Sequence, residues 1–159
     1  SSMAREVELT YSTPRGPWYH ASWKGDESKS GGIVCNIGIH LFDLLLWVFG
    51  DPVKPPIVHH RNEVYAAGRL ELERSNVNWF LSISASNPPL RSLAIEGKQP
   101  IEFSNGFADL HTESYRRILE GGGFRIRDAI PALNLTHTIR GTVPKLPIGI
   151  ERAHQFVRS

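Results

Sequence analysis

Glu6-Val7-Glu8-Leu9-Thr10-Tyr11 alternates polar and apolar residues. That period of two predicts a strand with one buried face. Pro14, Gly16 and Pro17 end it, and the polar stretch that follows reads as one long loop as far as Gly32. Loops beyond about 12–15 residues are usually functional or disordered, and Trp18, Tyr19 and Trp23 argue against disorder. Residues 33–49 are then apolar apart from Asn36, Gly38, His40 and Asp43. The run falls short of the ~20 residues of a membrane span, and Gly50-Asp51-Pro52 stops it as a helix end. A buried core helix is the expectation.

Strand signals dominate between Pro55 and Phe103. Residues 66–73 and 78–84, around Arg74-Ser75-Asn76, predict a hairpin. A second strand pair, 93–96 and 101–103, flanks Gly97-Lys98-Gln99-Pro100. Two short amphipathic helices follow Asn105-Gly106. Asp109 can N-cap the first, which runs to about Glu120; Asp128 can N-cap the second, with Pro131 in its first turn. From Gly141 onward there is little periodic signal, and no repeat appears anywhere. Strands grouped in this way predict an α+β fold: an open-faced, largely antiparallel mixed sheet with helices on one face. The uncovered face is a candidate oligomerisation surface.

Composition narrows the class without naming a chemistry. At 159 residues one domain is the prior. Eighteen Lys and Arg against 16 Asp and Glu leave a net charge of +2, too even for a nucleic-acid binder. A single cysteine cannot close an internal disulfide, so no oxidising compartment is needed. Arg5, Glu6 and Glu8 near the start are unlike a signal peptide. A soluble, cytoplasmic protein without a membrane or nucleic-acid partner is expected.

Asn36, His40 and Asp43 are spaced by four and three residues, which places them on one helix face. Burying such groups costs about 1–3 kcal/mol each unless they are hydrogen-bonded. Either the stripe is satisfied inside the core or it lines a pocket. In a pocket, His40 is the candidate acid/base, because histidine has the side-chain reference pKa nearest neutrality. Ser30-Gly31-Gly32 just ahead lets a ligand approach the backbone, and free N–H groups at a helix start favour anions. Arg15, Lys24 and Lys29 add positive charge from the preceding loop, although each alone is equally a solvated surface residue. Trp47 and Trp79 read as core, and Trp18 and Trp23 as clamps or packing anchors. Cys35 reads as a small hydrophobe and His137 as semi-buried. His111 and Glu113 read as helix-start or surface groups. His59-His60 has no carboxylate or cysteine at ligand spacing, so no metal site is expected.

Trp23-Lys24-Gly25-Asp26, Ser30-Gly31-Gly32, Asn36-Ile37-Gly38-Ile39-His40 and Asp43 together resemble the start of the C-terminal, substrate-binding domain of the Gfo/Idh/MocA oxidoreductases. The helices from Asp109 and Asp128 resemble the same domain, so the likeness covers all but the tail. The stretch from Thr13-Pro14-Arg15-Gly16-Pro17-Trp18-Tyr19 to Gly32 is similar to the branch that oxidises the 3-hydroxyl of UDP-N-acetylglucosaminuronic acid for lipopolysaccharide O-antigen synthesis. The resemblance implies an NAD-dependent enzyme, with the sheet face building homodimers or homotetramers. It implies His40 as the acid/base, beside a lysine supplied by an N-terminal domain. Arg15, Tyr19, Lys24, Lys29, Gly32 and Asn36 are then the substrate-binding residues. Many relatives have Asp where this chain has Asn36; Asn takes no proton and can only orient the sugar. Arg15, Lys24 and Lys29 suit the diphosphate and carboxylate of a UDP-uronate.

No G-x-G-x-x-G follows a strand, and Gly121-Gly122-Gly123 comes after a helix. Residues 1–159 therefore read as one C-terminal substrate-binding and oligomerisation domain, inactive alone, with the Rossmann NAD-binding domain outside this chain. The alternatives are a non-catalytic sugar-binding or oligomerising module, or a family member acting on another sugar such as inositol.

Overall fold

A computed structural model describes residues 4–103 and 109–145. Strand β1 (Arg5–Ser12) is followed by helices α1 (Pro17–Ala21) and α2 (Glu27–Ser30). A π-helical turn (Val34–Gly38) then runs directly into α3 (Ile39–Phe49). Strands β2 (Ile57–Arg61), β3 (Tyr65–Glu71), β4 (Ser75–Ser82), β5 (Leu90–Ile95) and β6 (Ile101–Glu102) precede α4 (Leu110–Leu119) and α5 (Ile126–Gly141). The expected loop up to Gly32 thus contains two short helices, and β2 lies within the strand-rich stretch from Pro55, where no individual strand was placed.

The six strands form one sheet in the order β2-β3-β4-β1-β5-β6. Neighbours are antiparallel except β1 and β4, which run parallel with Val7 opposite Val77 and Leu9 opposite Trp79. Alternation places Val7, Leu9, Val77, Trp79 and Leu81 on the face that receives α3, and all five are buried. Leu41, Phe42, Leu45, Leu46 and Phe49 recur at helical spacing and meet that face, with the Phe42 ring edge-on to Trp79 at 5.4 Å. Gly38 allows the close approach. A Cβ there would lie 2.8 Å from the Phe42 ring and 2.9 Å from Leu81. Segment Glu27–Phe49 is long and apolar enough by composition to cross a membrane. It is interrupted at Gly31-Gly32, where both residues have positive φ, and its apolar side covers the sheet.

On the opposite face Glu6, Arg69, Asn76 and Asn78 form a hydrogen-bonded polar network. Helix α5 packs against α3 and buries Ala132, Leu135, Thr136 and Ile139.

Four local expectations are corrected. Trp47 is 80% exposed, because α3 buries 41, 42, 45, 46 and 49 and position 47 falls on the outer side. His137 is exposed on the outer side of α5. Helix α5 begins at Ile126 with Arg125 as its N-cap, earlier than expected, so Asp128 is its third residue and reaches back to accept from the Arg125 N–H at 2.6 Å. Pro131 consequently lies inside the helix, where its surroundings are exposed and water can serve the freed carbonyl. Asp109 occupies the cap position of α4 without a side-chain cap bond. The Asn105-Gly106 turn and the end of the tail lie outside the described residues.

Candidate functional site

Two of the residues singled out in the sequence, Arg15 and Asn36, meet at Tyr19, while the Lys24 ammonium lies over the Trp23 ring at 5.9 Å. Pro17 starts α1 at a position that needs no N–H donor, and the helix turns Tyr19 into the interior. The Arg15 guanidinium lies over the Tyr19 ring at 5.6 Å, and the ring edges of Trp18 and His20 meet it at 5.9 and 5.6 Å. Burial pushes the Tyr19 hydroxyl above the usual tyrosine range, opposed by the Arg15 charge and by a hydrogen bond with the Asn36 side chain. Asn36 Nδ2 also donates to the Lys24 carbonyl at 3.3 Å. One amide therefore ties the helix start to the loop that carries Lys24. Arg15 donates its backbone N–H to Ile83 at 3.0 Å, while its buried Nε has no hydrogen-bond partner among the described residues.

Lys29 turns elsewhere. Its Nζ lies 3.2 Å from Asp26, whose other oxygen accepts from the Ser28 N–H and hydroxyl. Those Ser28 bonds first, then Lys29, hold Asp26 below the usual carboxylate range. Asp26 is thus the N-cap of α2, and Lys29 is a partner of that cap. The helix closes at Gly31, in the left-handed region at φ +79°. A Cβ at Gly31 would meet Cys35 Sγ at 2.5 Å and Arg140 Cζ at 3.4 Å. Gly32, at φ +72°, lies under the Glu27 side chain and donates to Ser30 Oγ at 3.1 Å.

The polar stripe faces outward. Asn36 is half-buried, whereas His40 and Asp43 are exposed, with Trp47 continuing the same side of α3. The helix is therefore covered on one side only, and the stripe is not satisfied within the core. The π-helical turn holds Asn36, and such turns with an added residue are frequent at functional sites. A cavity of about 350 Å³ lies at the other end of α3, lined by Arg5, Val48, Phe49 and Arg74 among others, remote from Asn36.

Two contacts had no local signal in the sequence. Arg61 Nη1, at the end of β2, donates to the carbonyls of Ile139 at 2.8 Å and Thr142 at 3.4 Å, and its Nε lies 4.0 Å from Glu27. Arg140 approaches Gly31 from α5. Both bring a late helix against the Gly31 turn. Cys35 is a free, half-buried thiol beneath that turn. Among the described residues no three His, Cys, Asp or Glu side chains cluster as metal ligands.

Residues 4–81 match the family model for the GFO/IDH/MocA C-terminal domain. Two solved structures of the WlbA (WbpB) dehydrogenase from Thermus thermophilus are similar over 98% of this chain. One, in complex with NAD and alpha-ketoglutarate, is 45% identical with a TM-score of 0.87. The other, in complex with NAD and UDP-GlcNAcA, is 43% identical with a TM-score of 0.86. The chain covers 53% and 52% of those two chains, so it spans about half the length of the relatives it matches. Myo-inositol 2-dehydrogenase from Lactobacillus plantarum shares the fold at 15% identity, with 88% of this chain and 54% of that chain covered and a TM-score of 0.67. With its open mixed sheet, its outward-facing helix stripe and these matches, the chain belongs to the GFO/IDH/MocA family, whose C-terminal domain it carries.

Proposed function

We propose that this chain is the substrate-binding and oligomerisation domain of an NAD-dependent dehydrogenase that oxidises the 3-hydroxyl of UDP-N-acetylglucosaminuronic acid. The observation that carries this reading is the 43% identity over 98% of the chain to a dehydrogenase solved with NAD and UDP-GlcNAcA. The site's chemistry agrees with it. Arg15, with an unused donor, and Lys24 suit a diphosphate or carboxylate, and Tyr19 and Asn36 offer hydrogen bonds to sugar oxygens. Lys29 reaches such an anion only by leaving Asp26. Gly32 contacts a ligand only where the Glu27 side chain above it moves aside.

His40 is one turn beyond Asn36 on the outward side, so it is open to a substrate bound against the helix. It takes the hydroxyl proton, while Asn36 orients the sugar. NAD, when bound, accepts the hydride, and the outward stripe of α3 fits a face turned toward a dinucleotide-binding domain. That Rossmann domain, with its lysine, lies in our reading outside this chain. The open sheet face, with its Glu6–Arg69 network, is the surface through which homodimers or homotetramers form. The same reading makes the protein a cytoplasmic enzyme of lipopolysaccharide O-antigen sugar synthesis.

Calorimetric titration of the intact enzyme tests the substrate. Arg15→Ala is expected to weaken UDP-uronate binding by about 10- to 100-fold, the worth of a charged hydrogen bond, and to leave free-sugar binding unchanged. Equal affinity for the uncharged sugar would count against the diphosphate contact. His40→Asn should still bind the UDP-uronate and lose about 10²- to 10⁴-fold in turnover. Full turnover would remove His40 from the mechanism.

A further inference from the structure

Strand β2 carries a bulge. Val58 lies opposite Gly68 and Arg61 opposite Ala66, three steps along β2 against two along β3. Strict alternation would send Val58 and Arg61 to opposite faces of the sheet. The extra residue instead turns Arg61 to the face of Val58, Ala66 and Leu70, all buried. Gly68 is opposite Trp79 in turn, so this is the face that receives α3. The Arg61 side chain is 20% exposed and finds its partners on two segments far along the chain. Nη1 serves the carbonyls of Ile139 and Thr142, where α5 ends and a cation is favourable. Nε faces Glu27 at 4.0 Å. The Glu27 side chain lies across Gly32, with its Cδ 3.3 Å from where a Cβ would stand. Helix α5 in turn sends Arg140 to Gly31 and packs on the π-helical turn that holds Asn36.

We propose that Arg61 is a positioning residue of the candidate site: it holds the end of α5 and the Glu27 side chain against the Gly31-Gly32 turn, and so fixes where the π-helical turn presents Asn36. The inference rests on the proposed function for what Asn36 does to a substrate, and on geometry alone for how Asn36 is held. The turn is gripped from two sides. Glu27 covers Gly32, while Cys35 and Arg140 close on Gly31. Arg61 is the one side chain that reaches both grips, Glu27 directly and Arg140 through the end of its helix. A shift of this turn carries Asn36 away from the Lys24 carbonyl that it binds at 3.3 Å. Misplacing an orienting group by about 1 Å can cost on the order of 10²-fold in rate.

Thiol labelling of the intact enzyme, without substrate, tests how the turn is held. Cys35 Sγ lies beneath Gly31, so alkylation by iodoacetamide, read by mass spectrometry of the Cys35 peptide, reports opening of the turn. Arg61→Gln is expected to speed that labelling about 10-fold with unchanged far-UV circular dichroism. Glu27→Gln, at a half-exposed position safe for the fold, removes only the ion pair and should give about threefold. An unchanged rate in either variant overturns the proposal. Steady-state kinetics then test the link to Asn36. Arg61→Gln should lower kcat on the UDP-uronate about 10- to 100-fold with KM within about twofold. In an Asn36→Ala background the same change should cost less than about twofold, because the group it positions is gone. Full additivity overturns the proposal. A wild type that ignores the UDP-uronate, with labelling accelerated in both variants, overturns the proposed function and upholds the placement by Arg61.

Discussion

Gly31 is where the candidate site depends most on a single atom that is not there. Its φ of +79° and the 2.5 Å gap to Cys35 Sγ mean that Gly31→Ala adds backbone strain and a clash together. Thermal unfolding is expected to show a loss of about 1–3 kcal/mol. A Cys35→Ala partner substitution should relieve the Sγ clash and leave both the 2.8 Å approach to the Cβ of residue 35 and the conformational part. Two titrations carry a sign. Because burial raises Tyr19, the folded protein holds a proton that the unfolded chain releases near pH 10, so stability falls as pH rises through that range. Tyr19→Phe should flatten that alkaline limb in urea titrations. For His59 burial lowers the pKa, opposed by its contact with Lys145 and reinforced by Arg69. The unfolded chain then takes up a proton first, and stability falls as pH drops below the ordinary histidine value of 6.5. His59→Gln should remove that acid-side slope; an unchanged slope would assign it to another group.

The strands and the core helix were legible because one buried side imposes a period, two along β1 and β4 and about 3.6 along α3. Helices α1 and α2 were hidden inside an apparent loop. Each is a single turn stabilised by its setting, Pro17 at the start of one and Asp26 capping the other, with too few residues to show a period. The stripe of Asn36, His40 and Asp43 was correctly placed on a helix, but the pattern alone could not say which way it turns. The side is decided by Phe42 meeting Trp79 and by Gly38 lying against Leu81, which also explains the misread Trp47. Gly38→Val tests that contact. Its side chain would displace Phe42 or Leu81, and overpacking of this kind is expected to cost about 1–3 kcal/mol in chemical denaturation.

The chain that begins in β1 returns to it from a distance: β4 and β5, more than sixty residues later, take up places on its two sides. That insertion makes β1 central, buries Val7 and Leu9, and leaves Glu6 in the polar network of the far face. Alternation and spacing, read without coordinates, were enough for the α+β class, the hairpins, the core helix and the residues that bear charge or a titratable ring. These are local properties, written into residues a few positions apart. The meeting of Arg15, Tyr19 and Asn36, the bond from Asn36 to the Lys24 carbonyl, the diversion of Lys29 to Asp26 and the arrival of Arg61 and Arg140 at the Gly31 turn depend on folding. They join segments whose distance along the chain carries no periodic signal, and only packing brings them within reach.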